Sequence, residues 1–205
     1  MSFTDKAALV TGGSSGLGRA IAITLAKQGA KVLISDINAE GGSETVRIIE
    51  EAGGTASYIT GDVSNEDEVK TMIDAIVERY GKLDILVHSV AYAPREALGG
   101  RFIDLKRDDF KLTLESSAYS LIALAKRAEP LMTDGGSVMT MSYFAAEKYI
   151  PDYNAMAIAK SALESCVRYM SVDMGKQKIR VNAISAGPLK TLAAAGIPGF
   201  KALLK

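Results

Sequence analysis

The apolar residues of this 205-residue chain fall into two alternating kinds of segment, and that alternation constrains the fold more than any single motif. Short unbroken apolar runs read as strands: Ala7–Thr11, Lys31–Ser35, Ala56–Thr60, Leu83–His88, Gly136–Met141 and Ile179–Ile184. Stretches with helical spacing separate them: Gly18–Gly29, Glu44–Ala52, a segment from the cap residue Asn65 to Tyr80, Phe110–Met132 and Asp152–Met174. Gly53-Gly54 and Gly81 stand where helices should stop. Strands that are apolar throughout, not at every second residue, belong to a parallel sheet covered on both faces. Right-handed crossovers then give a doubly wound, three-layer α/β/α sheet of the Rossmann type. Such a sheet takes its ligand at the C-terminal ends of its strands.

The length suits one domain spanning residues 1–205. A formal net charge of zero provides no polybasic surface for nucleic acid or an anionic membrane. Cys166 is the single cysteine and His88 the single histidine, which excludes an internal disulfide and a structural zinc site; no metal is expected. No apolar run reaches the ~18 residues of a membrane span, and the first ten residues, MSFTDKAALV, lack a signal peptide's apolar core, so a cytoplasmic protein is expected.

Three features sit at predicted strand ends. Thr11-Gly12-Gly13-Ser14-Ser15-Gly16-Leu17-Gly18 follows the first strand and opens the first helix. Its glycines allow a tight turn and close backbone approach to a pyrophosphate, and the helix N-terminus supplies N–H groups and partial positive charge. Asp36 ends the second strand, where a carboxylate accepts ribose hydroxyls and repels a 2′-phosphate, which favours NAD(H) over NADP(H). Asp62, ending the third strand, is placed to reach an adenine amino group or to cap a turn. Further along, Tyr153 and Lys160 lie seven residues apart; on a helix both would share one face, roughly 10 Å apart along the axis. A phenol and an ammonium so arranged suit an acid above a cofactor and a lysine that holds the cofactor. Met156, Ala159, Leu163, Cys166, Met170 and Met174 recur at three- and four-residue steps, so Met156 and Cys166 are expected in the core. His88 is expected to be structural.

With these residues in view, the chain resembles a short-chain dehydrogenase/reductase from about Lys6 onward. Thr11 to Gly18 matches the T-G-x-x-x-G-x-G loop of the classical branch. The second half resembles the NADH-dependent enoyl-acyl-carrier-protein reductases. The matching stretches are His88-Ser89-Val90-Ala91-Tyr92-Ala93-Pro94, Ser142-Tyr143, Tyr153-x6-Lys160, Arg180 through Pro188, and Thr191 through Ile197. The classical Tyr-x3-Lys spacing would put the tyrosine at 156, which holds methionine, and the classical serine position falls at Tyr143. The chain therefore combines two branch signatures, with the change near Lys82–His88. Relatives usually run about 50 residues further, so a last strand is expected to be missing.

The resemblance implies reduction of the 2,3 double bond of an enoyl thioester on acyl carrier protein, with NADH as cofactor. It implies Tyr153 as hydrogen-bond donor to the developing enolate oxygen, Lys160 on the nicotinamide ribose, and Tyr143 as a second tyrosine of the site. Its implied cofactor contacts are Gly12, Ser14, Ser15, Gly16, Leu17, Gly18, Asp36, Asp62, Val63, Ser89, Ala91, Lys160, Gly187, Pro188 and Thr191. It also implies a homo-oligomer, a tetramer in relatives. Two alternatives remain: a classical alcohol dehydrogenase or ketoreductase, and a non-catalytic NAD-binding protein or fragment.

Overall fold

The computed structural model describes residues 2–187 and 189. Six strands form one parallel sheet: β1 (Ala7–Thr11), β2 (Lys31–Asp36), β3 (Thr55–Thr60), β4 (Ile85–His88), β5 (Gly136–Tyr143) and β6 (Ile179–Ala186). Their order is β3-β2-β1-β4-β5-β6. The chain winds outward one way from β1, returns, and winds the other way from β4. The crevice between β1 and β4 is thus the point where strand order reverses. Thr11 pairs with Ser35 on one side and His88 on the other, which fixes the floor of that crevice.

Residues of alternate parity along the strands feed two apolar cores. Leu9, Leu33, Leu86 and Val138 pack against α3 (Glu66–Tyr80), α5 (Ser120–Ala128) and α6 (Asn154–Gly175) through Met72, Ile76, Leu121, Leu124 and Leu163. Ala8, Val10, Val32, Ile34, Ile85 and Val87 pack against α1 (Gly16–Lys27) and α2 (Ala39–Glu51) through Ala22, Leu25 and Ile49. Burying one such side chain contributes roughly 1.5–3 kcal/mol. Helices on both faces make the expected three layers.

The caps behave as their residue types predict. The Asn65 side chain accepts from the N–H groups of Asp67 and Glu68, and Gly81 ends α3 in the left-handed region at φ 71°. Several boundaries differ from expectation by a residue or two, and three differences bear on the argument. α2 begins at Ala39, not Glu44, because the Asn38 side chain accepts from Gly41 N–H and starts the helix through two glycines that carry no periodic signal. A Cβ on Gly42 would lie 2.1 Å from the Tyr58 ring, so the glycine is there to let α2 approach β3. The segment expected as one helix over Phe110–Met132 starts earlier, as α4 (Arg107–Leu114), and widens into a π turn at Glu115–Tyr119. It resumes as α5 and closes in a 3-10 turn over Glu129–Leu131, which contains Pro130. The third difference matters most for function: α6 starts at Asn154, not Asp152.

Among the described residues no helix is long and apolar enough to cross a membrane.

Candidate active site

Gly12 takes φ +71°, a conformation that favours glycine. A Cβ on Gly12 would meet the Ser89 carbonyl oxygen at 2.2 Å, and one on Gly18 would meet the Gly12 oxygen at 2.1 Å. The loop therefore folds onto itself and onto the end of β4, and Ser89 N–H donates to the Thr11 carbonyl at 3.2 Å across the crevice. Ser15 is the extended N-cap of α1 and makes no side-chain cap bond. α1 also lacks acids in its first turn, whereas α2 and α3 have asparagine caps and acidic first turns. The N–H groups at Gly16, Leu17 and Gly18, with the helix dipole behind them, suit an anion such as a pyrophosphate.

Asp36 sits beside this loop. One carboxylate oxygen accepts from Ser14 N–H at 3.2 Å and the other from Asn38 N–H at 3.0 Å. A carboxylate has about four lone-pair sites, so both oxygens keep acceptor capacity for ribose hydroxyls. Two residues that the sequence pattern did not mark brace the same corner. The buried Thr45 hydroxyl donates to the carbonyls of Gly13 (3.1 Å) and Gly41 (2.8 Å). The Arg19 guanidinium reaches the carbonyls of Ser14 and Gly41. Thr45 and Arg19 each fall within a helical pattern, Glu44–Ala52 and Gly18–Gly29, so neither had a signal of its own.

Asp62 acts as a turn former: one oxygen accepts from both the N–H and the hydroxyl of Ser64. The Val63 side chain is buried in the core, which leaves its backbone as the part that can meet a ligand. Ala91 and Gly187 are exposed at the ends of the segments after β4 and β6. Pro188 and Thr191 lie outside the described residues.

On the other side of the crevice, the end of β5 gathers the chemistry. The Lys160 ammonium is 5% exposed and donates to the Met141 carbonyl at 2.6 Å. Burial lowers its pKa to about 8, so it remains mostly charged at neutral pH. Its other N–H donors are available to a sugar hydroxyl. Two residues along β5, the Tyr143 ring meets the Tyr153 ring nearly edge-on, centroids 5.0 Å apart. Burial, and secondarily Tyr143, raise the Tyr153 pKa above the ordinary phenol value, so this side chain keeps its proton.

Tyr153 does not lie on the helix face that its spacing suggested. It is the N-cap of α6, at φ −130° and ψ 15°, and Asp152 before it is left-handed at φ 57°. Asn154 fixes this entry. Its N–H donates to the Leu98 carbonyl at 3.1 Å, and its side chain reaches the carbonyls of Gly99 and Gly100, each at 3.1 Å. Tyr153 thus stands at the mouth of the helix, and the end of β5 meets both residues, Tyr153 through the Tyr143 ring and Lys160 through the Met141 carbonyl.

Met156 is buried with Tyr143, Tyr153 and Leu98 in a small apolar cluster. Cys166 is only half-buried, contrary to its expected core position, and burial raises its pKa. His88 is fully enclosed, with Nδ1 2.9 Å from the Thr140 hydroxyl and Nε2 2.8 Å from the Ser120 hydroxyl. Burial, then the charge of Lys160, lower its pKa to about 3. A neutral ring has one donor and one acceptor, so one of those hydroxyls donates to it.

Comparison with known proteins bears on this arrangement. A sequence model of the family described as Enoyl-(Acyl carrier protein) reductase matches residues 12–205. The chain belongs to the enoyl-acyl-carrier-protein reductase family. It is 43% identical over 187 residues to the NADH enoyl-acyl-carrier-protein reductase 1 of Rhizobium meliloti, covering 90% of this chain and 68% of that one. The solved enoyl-acyl-carrier-protein reductase (NADH) of Aquifex aeolicus superposes with a TM-score of 0.91 at 42% identity, over 98% of this chain and 80% of that one. A 7α-hydroxysteroid dehydrogenase solved with NADH and 7-oxo glycochenodeoxycholic acid gives 0.87 at 34% identity, over 94% of this chain and 74% of that one.

Proposed function

We propose that this protein reduces the 2,3 double bond of enoyl thioesters carried on acyl carrier protein, with NADH as reductant. The observation that carries the reading is the position of the phenols. Tyr153 and Tyr143 pack ring against ring, two residues along β5 from the Met141 carbonyl that receives Lys160, while the position a classical ketoreductase needs for its acid holds the buried Met156.

NADH, when bound, supplies the hydride that adds to C3 of the enoyl chain. The chain's own residues do the rest. The glycine loop and the α1 N-terminus hold a pyrophosphate, Asp36 takes the adenosine ribose, and Lys160 takes the second ribose. Negative charge builds on the thioester oxygen as the enolate forms. A tyrosine that keeps its proton suits the task of donating a hydrogen bond to that oxygen, and pre-aimed donors of this kind are the main electrostatic contribution to such steps. The enolate then takes a proton from solvent water at C2, leaving hydroxide to the buffer, and the saturated thioester is released. Tyr143 packs against Tyr153 and limits where its hydroxyl points.

The same reading takes the protein as cytoplasmic and as a homo-oligomer, a tetramer by likeness to the wider family. In support, Tyr169 and Val172, three residues apart on α6, are 75% and 68% exposed, and large exposed apolar residues on one helix face suit a partner copy.

A second reading, ketone reduction, is favoured by the similarity to the hydroxysteroid dehydrogenase. Loss of NADH absorbance with crotonyl thioester, run beside acetoacetyl thioester, separates the two. Turnover of the enoyl substrate alone is expected; turnover of the keto substrate alone overturns the proposal.

A further inference from the structure

The end of β5 is tied to α6 by more than Lys160. The Ser142 hydroxyl, 4% exposed, donates to a Glu164 carboxylate oxygen at 2.5 Å. Ser142 lies between Met141, whose carbonyl receives Lys160, and Tyr143, whose ring meets Tyr153. Glu164 lies one helical turn beyond Lys160, so successive turns of one helix grip successive residues of one strand end. A hydrogen bond from a buried hydroxyl to a carboxylate is among the stronger kinds, and removing its acceptor leaves the hydroxyl unsatisfied. This tie is one of several that hold α6. α6 is also held by Leu163 and Met174 in the core and by the Ser161 hydroxyl on the Ala146 carbonyl at 2.7 Å.

We propose that Glu164 is a positioning residue: through Ser142 its carboxylate holds the end of β5, and with it Tyr143, in place against Tyr153. The inference rests on the enoyl-reductase reading for its kinetic consequence. It needs neither a new ligand nor a new chemical step. A donor displaced by a fraction of an ångström from a developing oxyanion loses much of its effect, whereas binding of the adenosine end, across the crevice at Asp36, does not depend on β5.

The test uses the full chain with Glu164→Leu, Glu164→Gln, Ser142→Ala and the double variant Ser142→Ala/Glu164→Leu. Leucine and glutamine match glutamate in helix propensity, so α6 itself is not weakened. Glu164→Leu and Ser142→Ala are each expected to lower kcat on the order of tenfold, a scale that small misplacements at a reacting centre reach. KM for NADH should change less than about twofold, since uniform binding is untouched. Glu164→Gln should recover most of the loss, because its amide oxygen still accepts from Ser142. The double variant should be no worse than either single one. A second readout needs no substrate: the ¹³Cζ resonance of Tyr143, assigned through Tyr143→Phe, should move in Glu164→Leu and stay near its wild-type place in Glu164→Gln. Wild-type kcat in both single variants with an unmoved resonance, or multiplicative losses in the double variant, would overturn the proposal. If the wild type reduces no enoyl thioester, the functional reading fails while the resonance still decides the positioning role.

Discussion

The two sides of the strand-end crevice hold their polar groups by different means. On the β1–β2 side, backbone does the holding: glycines bring carbonyls into contact, a helix end offers N–H groups, and Asp36 spends one bond from each oxygen on a main-chain N–H. On the β4–β5 side, side chains do it. Lys160, His88, Ser142 and Tyr153 are all buried, and three of the four have carbonyl, hydroxyl or carboxylate partners on another element. The first arrangement suits a charged ligand of fixed shape. The second tunes proton affinity, and it is where the pKa shifts of Lys160, His88 and Tyr153 occur.

The largest expected effect belongs to the tuned side. Tyr153→Phe removes the donor proposed for the enolate oxygen, and turnover of crotonyl thioester should fall on the order of 10²–10³-fold. Met156→Leu, a near-isosteric change in the apolar cluster beneath, should cost less than about 1.5 kcal/mol of stability and leave the chemistry alone. The pair sharpens the comparison because it separates a buried group that reacts from a buried group that only packs. Near-normal turnover in Tyr153→Phe would remove the tyrosine from the mechanism. Lys160→Ala should weaken NADH binding as well as turnover, by roughly 10-fold or more if charged hydrogen bonds to ribose are lost.

The backbone side should respond in specificity, not in rate. A carboxylate within about 4 Å of a phosphate charge contributes roughly 1–4 kcal/mol of repulsion in a partly solvated site, so wild type should bind NADH at least about fivefold more tightly than NADPH. Asp36→Ala should erase that preference and also loosen the loop through Ser14. Asp36→Asn removes the charge yet keeps one acceptor, so it should erase the preference with less loss of overall affinity. Fluorescence titration with both cofactors reads each outcome. Equal binding of the two cofactors by wild type would show that Asp36 serves the loop alone.

The same division explains what the sequence could reveal. β1, the Asn65 cap, the Gly81 stop and the glycine loop are local features, written in adjacent residues, and they appear where expected. The start of α2 was hidden by Gly41 and Gly42, which lie close against the glycine-loop residue Ser14 and against Tyr58 of β3 respectively. The helix over the Tyr153–Lys160 spacing began two residues late because Asn154 is clamped to a loop some 55 residues earlier. Ser142–Glu164 and His88–Ser120 join residues 22 and 32 apart, and periodicity identifies which face is buried without identifying which polar side chains meet there.

The smallest effect is on stability, and it tests whether burial holds down the proton affinity of the two buried bases, His88 and Lys160. The folded His88 pKa is about 3, below its ordinary value of 6.5, so the unfolded chain takes up a proton in a range where the folded chain does not. The stability this group contributes is therefore complete above about pH 6.5 and is lost as pH falls toward 3. Lys160, lowered from 10.5 to about 8, acts with the same sign in a higher window: stability should rise as pH climbs from about 8 toward 10.5. His88→Gln should lower the thermal midpoint at pH 8, since the Ser120 and Thr140 hydroxyls lose a well-placed partner worth roughly 1–3 kcal/mol. It should also flatten the decline between pH 6.5 and 4, the part due to the imidazole, while the carboxylates continue to titrate in both proteins. Lys160→Met should flatten only the alkaline rise. Parallel pH profiles for wild type and His88→Gln would mean that the folded protein protonates His88 as readily as the unfolded chain does, and the β4–β5 side would then hold its groups without tuning that one.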